Sequence, residues 1–116
     1  MHELSIAQSI LDSVREQAAL HQGRRVLRVG VRVGETSGVN ADALAFCFGM
    51  TVQDTEFSGV ALELERVPIR FRCDDCGHEF TPVDFDARCP GCRGGQGRMV
   101  GGDELALSFL ELEDGQ

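Results

Sequence analysis

Four cysteines carry the plainest chemistry in this chain. Cys73, Cys76, Cys89 and Cys92 follow the pattern C-x2-C-x12-C-x2-C. Each CxxC pair bends so that both sulfurs face one ion, and N–H groups inside the bend can donate to those sulfurs, offsetting their negative charge. Four thiolates suit a tetrahedral zinc ion, and the same set would also accept iron, which visible colour distinguishes from zinc. A closed four-sulfur shell leaves no open position for a water or a substrate, so this metal is expected to fold its surroundings and not to catalyse. Gly77 and Gly94 stand where a knuckle turns through positive φ, and Pro90 stiffens the second turn. His78, directly after the first knuckle, is read as lying beside the metal or at the surface.

A second candidate lies at the very start, in MHELSIAQSI. His2 is too large to favour removal of the methionine before it, so the Met1 amine is expected to stay next to the imidazole. That amine, the His2 backbone nitrogen and the His2 ring nitrogen can form fused chelate rings, and the Glu3 backbone nitrogen or carboxylate can complete a plane. A square-planar nitrogen and oxygen set suits Ni(II) or Cu(II). The remaining candidates read as structural. Cys47, among Phe46, Phe48 and Met50, is expected to be core, and His21 to sit at a helix C-terminus, where it favours the dipole. No serine, histidine and acid combination has nucleophile spacing, and no glycine loop runs from a strand into a helix to cradle phosphate. The sequence is therefore not read as an enzyme.

The elements that position these groups follow from hydrophobic periodicity. Leu4, Ala7, Leu11, Val14 and Ala18 draw one stripe down a helix of about five turns, with Ser5 and Gln8 as a capping box and Gly23 as its stop. In VLRVGVRV the period becomes two: Leu27, Val29, Val31 and Val33 alternate with Arg28, Gly30 and Arg32, as in a strand buried on one face. Asn40 is the N-cap of a second helix whose Leu44, Phe48 and Val52 share a face. VALELERV is a second strand, with Leu62 and Leu64 inward, and ELALSFLELE a last one.

A strand, helix, strand order favours a parallel crossover, and the last strand returns antiparallel. The expected fold is α+β, a small three-stranded mixed sheet covered by two helices, with an inserted zinc-ribbon-like lobe. Residues 1–69 plus 102–116 form the α/β domain and residues 70–101 the metal lobe, the chain bending out at Pro68. Arg28 and Arg32 are expected to pair across strands with Glu63, Glu65, Glu111 or Glu113.

Composition bounds the partners. The 116 residues carry a formal charge of -8, every basic residue is Arg, and neither Trp nor Tyr is present. An acidic chain without a basic or aromatic face is a poor match for nucleic acid or anionic lipid. A zinc-ribbon module that binds protein or nucleic acid without carrying nickel is the alternative reading of the knuckles. No hydrophobic run is long enough for a signal peptide or a membrane span, and clustered thiols suit a reducing compartment, so the chain is read as cytoplasmic.

Taken together, MHE at residue 1, VRVGETSGV, LAFCF, the paired knuckles with CP in the second, and GDELALSFLELE resemble the HypA/HybF family of [NiFe]-hydrogenase nickel-insertion proteins over essentially the whole length. The resemblance implies a metallochaperone that holds nickel through His2 and neighbouring N-terminal nitrogens. It implies transfer toward the hydrogenase large subunit with the GTPase HypB, with urease maturation proteins as further candidate partners. Glu3 is implied in nickel binding or in that partnership. Some relatives carry an acidic residue where this chain has Asn40, which puts an acidic ligand from that turn in doubt and makes Asp42 the alternative.

Overall fold

The computed structural model describes residues 2–84 and 86–114. The chain divides into two compact units, the first comprising residues 1–32, 39–65 and 106–116, the second residues 33–38 and 66–105. The turn at 33–38 belongs to the second unit because its main chain is held there: the Gly34 N–H donates to the Glu104 carbonyl, the Glu35 N–H to Val67, and the Thr36 N–H to Gly102.

In the first unit, helix α1 spans Glu3–Leu20 and helix α2 spans Ala41–Val52. α1 buries Ala7, Ile10, Leu11, Val14 and Ala18. α2 contributes Leu44, Phe48 and Val52, and strand β1 (Val26–Gly34) supplies Val26, Val29 and Val31. Three of the largest fully buried side chains are thus Phe48, Leu44 and Val14, an apolar core of ordinary composition. Two residues expected inside are not: Leu4 is 51% exposed, and Leu27 is exposed where Val26 is buried instead. Both lie at the first turn or first residues of their element, where little else reaches across to cover them.

The start of α1 also differs from expectation. The helix begins at Glu3 with His2 as its N-cap, and no side chain caps it, so Ser5 lies inside the first turn and forms no capping box there. At the other end Gly23, with φ +68°, returns its N–H to the Ala18 carbonyl as a stop residue does. Asn40 caps α2 as its type predicts, its side-chain oxygen accepting the Ala43 N–H at 3.0 Å.

The strands β2 (Ala61–Val67) and β6 (Leu105–Leu112) flank β1 in the order β2-β1-β6. Arg28 bridges Glu63 and Glu111, and Arg32 meets Glu65 at 3.1 Å, so the charged face pairs across strands as its alternation predicts. Glu113 takes part through its main chain: its carbonyl accepts from the Arg24 guanidinium. Gly30 has a packing reason, since a Cβ there would run into the Phe109 ring.

The second unit holds a sheet of order β4-β3-β5, made of β3 (Arg70–Cys73), β4 (Glu79–Phe80) and β5 (Gly97–Gly101). β3 pairs antiparallel with both neighbours, Phe71 facing Phe80 and Cys73 facing Gly97, with an irregularity between Arg70 and Phe71. Glu79 accepts from both Arg70 and Arg72. Around the knuckles the buried cluster is small, made of Cys73, Cys89 and Phe80, with Phe71 packed edge to face on Phe80, while Val33 and Ile69 are buried elsewhere in this unit.

Candidate metal centres

The two knuckles close on each other because the backbone of each folds in the same way. The Gly77 N–H donates to the Cys73 carbonyl at 3.0 Å, and the Arg93 N–H to the Cys89 carbonyl at 2.9 Å. Cys89 is further tied to Gly95, and Asp74 to Gln96, which carries the second knuckle onto the β3 hairpin. All four sulfurs then lie within 4.8 Å of one another. Cys73 and Cys92 are 3.7 Å apart, Cys76 and Cys89 3.6 Å. A tetrahedron with metal–sulfur bonds of about 2.3 Å has edges of about 3.75 Å, so the donor set fits zinc. The same distances exclude disulfides, which need about 2.05 Å, and all four thiols are free.

Backbone donors prepare the sulfurs for charge. The Cys76 N–H points at the Cys73 sulfur at 3.5 Å and the Gly91 N–H at the Cys89 sulfur at 3.3 Å. The N–H groups of Cys92 and Gly91 lower the Cys89 thiol below its ordinary range. The N–H of His78 pulls Cys76 the same way, but hydrogen bonding to Cys89, burial and the other two sulfurs outweigh it and push Cys76 up. Protons therefore leave this cluster in stages, and a divalent cation, by taking the sulfurs' charge, lets the last ones go.

Two details escape the sequence reading. Gly77 has φ +76° as expected, but in the second knuckle the left-handed residue is Arg93, with φ +63°, and not Gly94. Gly95 is the other: a Cβ there would collide with the Cys73 and Cys92 sulfurs. Positive φ is the only demand that the knuckle pattern places on a glycine here, so the close approach of residue 95 to the sulfurs has no signal in the sequence. His78 is exposed, its ring stacked on Phe80 with centroids 6.3 Å apart, and it is not among the clustered donors.

The chain start is built differently. His2 is exposed, and its carbonyl accepts the Ile6 N–H, fixing it as the first turn of α1. Glu3, half-buried, accepts the Asn40 N–H at 3.1 Å, which ties the start of α1 to the start of α2. Periodicity has no means of showing that tie, because it joins residues 37 apart. The Asn40 side chain is committed to capping, and Asp42 lies in the first turn of α2. Met1 lies outside the described residues. Among the described residues the four cysteines are the one cluster of three or more metal-binding side chains, so His2, Glu3 and Asp42 do not gather into a second. Cys47 is half-buried, while its neighbours Phe46 and Met50 are 69% and 56% exposed, so this stretch of α2 is less a core than its composition suggests.

A small α+β protein with a tetrathiolate ribbon and an exposed histidine at its first helical turn belongs to a class that handles metals. The chain belongs to the HypA family: the family described as "Hydrogenase/urease nickel incorporation, metallochaperone, hypA" matches residues 1–112. The hydrogenase maturation factor HypA of Geobacter metallireducens is 42% identical over 113 residues, covering 97% of this chain and all of that one. The namesake of Solidesulfovibrio magneticus is also 42% identical, over 117 residues, with 97% and 100% covered. The solution structure of the Ni metallochaperone HypA from Helicobacter pylori matches with a TM-score of 0.67 at 27% identity, over 97% of each chain.

Proposed function

We propose that this chain carries Ni(II) as cargo on its first three residues and delivers it in the maturation of [NiFe]-hydrogenase. The His2 imidazole, the Met1 amine and the backbone nitrogens of residues 2 and 3 are the donors, with Glu3 positioned by Asn40 or added as an oxygen ligand. The observation that carries the reading is that a chain matching this family from residue 1 to 112 keeps its cysteine cluster and its exposed His2 as separate features. Their chemistry suits different tasks. Four thiolates enclose a zinc ion that stays, whereas nitrogen donors on an exposed first turn can release a metal by opening a chelate one bond at a time. Cys73, Cys76, Cys89 and Cys92 hold zinc to stabilise the unit of residues 33–38 and 66–105, and the nickel unit is the remainder.

The partners this reading requires are the GTPase HypB and the hydrogenase large subunit, with urease maturation proteins as a second destination, in keeping with the urease nickel incorporation in the family's description. The work is done in the cytoplasm, where thiols stay reduced, and consists of metal transfer without catalysis. No described helix is long and apolar enough to cross a membrane. In a hydrogenase-producing host that relies on this protein, His2→Ala is expected to leave the hydrogenase without nickel while the protein accumulates normally. Unchanged hydrogenase activity at limiting nickel would refute the reading.

A further inference from the structure

The two knuckles are near copies in backbone, and they differ at one telling residue. The position that follows the second cysteine is left-handed in both, and the first knuckle fills it with Gly77, the second with Arg93. A non-glycine residue held there costs strain that glycine avoids, so the arginine side chain calls for a reason.

Its surroundings supply one. Of the six arginines in this unit, Arg70 and Arg72 meet Glu79, Arg88 grips Asp86 with both guanidinium edges, Arg98 lies 3.4 Å from Asp74, and Arg66 has a partner. Arg93 is the one without an ion pair among the described residues. It lines a cavity of about 330 Å³ whose other walls include Phe80, Pro82, Val83, Asp86, Arg88 and Cys89. Val83 is 75% exposed at this cavity, an apolar side chain left to water. The Arg88 charge is cancelled by Asp86, which also faces the cavity, so the lining joins apolar walls to one arginine, Arg93, that no carboxylate pairs with among the described residues.

We infer that this cavity is a docking site for an acidic peptide segment of a protein partner, a leucine-sized side chain entering against Phe80 and Val83 while a flanking carboxylate pairs with Arg93. Charge complementarity selects the occupant: an arginine fork matches a carboxylate, and the apolar wall rewards a hydrophobic neighbour that a free anion lacks. The inference does not depend on nickel.

The test uses the full zinc-loaded chain and the end-capped peptide Ala-Glu-Leu-Glu-Ala, with Ala-Gln-Leu-Gln-Ala and inorganic phosphate as comparisons. Backbone amide shifts at Val83, Arg88 and Arg93 report binding, and an affinity of about 1 mM is expected for so short a peptide. The glutamine peptide and phosphate should each bind at least about tenfold more weakly, and Arg93→Gly and Arg93→Gln should both weaken the acidic peptide to that extent. Arg93→Gly should melt no lower than the parent and keep its zinc, because glycine adopts this φ without strain. Equal binding of the glutamine peptide or of phosphate, binding that survives both substitutions, or no response to the acidic peptide would each overturn the docking site. Loss of zinc from Arg93→Gly would overturn it too, by showing that Arg93 serves the thiolate charge instead.

Discussion

The helix and sheet unit and the cysteine unit of this chain are stabilised in different ways, and the difference underlies the proposed division between a resident metal and a cargo metal. In the first, Phe48, Leu44, Val14, Val29 and Val31 are fully buried and supply a core without help. In the second, the two most deeply buried side chains are Cys73 and Cys89, and among the described residues only Val33, Ile69 and Phe80 add buried hydrocarbon, so the knuckles depend on what the sulfurs hold. A unit of that kind forms its fold and its site together. A metal that holds such a fold together suits residence and not transfer, which is why the proposed function keeps nickel apart from the cysteines. The proposed cargo site needs groups that the fold does not already use, and the exposed His2 at the N-cap of α1, whose side chain makes no capping bond, offers one.

The largest expected effect breaks this comparison from the zinc side. Structural zinc contributes about 10–16 kcal/mol in small thiolate domains, so Cys76→Ser should abolish amide protection across residues 70–101 while α1, α2 and β1 keep theirs. Uniform loss in hydrogen exchange would show instead that the units fold as one. Phe48→Ala breaks it from the other side: the cavity should destabilise the helix and sheet unit by about 3–5 kcal/mol, with zinc content unchanged. Zinc loss in step with the helical signal would mean that the apolar core also holds the ribbon.

A smaller effect sharpens the account of the first unit. Hydrogen bonding to Arg15 holds the Glu56 carboxyl below its ordinary range. A depressed carboxylate adds stability above its unfolded value and loses it as the pH falls through the folded value. Glu56→Gln should therefore lower the helix melting temperature slightly near neutral pH, and the gap from the parent should close in acid. Both side chains are exposed, so the effect is small. A gap that persists in acid would point to packing and not to charge.

Much of this architecture is legible in the sequence because it rests on local signals. Asn40 at its cap, Leu44, Phe48 and Val52 on one face, and Arg28 and Arg32 opposite glutamates all follow from period and residue type. The four cysteines follow from spacing alone. Leu4 and Leu27 lie outside the core because period tells which side a residue faces and not whether anything covers that side at an element's end, and Cys47 is only half-buried because apolar neighbours in sequence, Phe46 and Met50, are themselves exposed on the helix. The Glu3 to Asn40 bond and the need for Gly95 join residues distant in sequence or depend on sulfur positions, which no pattern of single residues encodes. The left-handed turn at Arg93 is concealed for a different reason, since two glycines directly after it offered an easier home for that conformation.

The central claim, that cargo nickel sits at the chain start while zinc stays in the cysteines, is tested most directly by metal content. The purified, untagged zinc-loaded chain and its His2→Ala variant are equilibrated with Ni(II), freed of excess metal and analysed for both elements. The account predicts nickel in addition to full zinc for the parent, and full zinc with nickel lost from His2→Ala. Equal nickel in both proteins, or nickel gained only as zinc leaves, would contradict it.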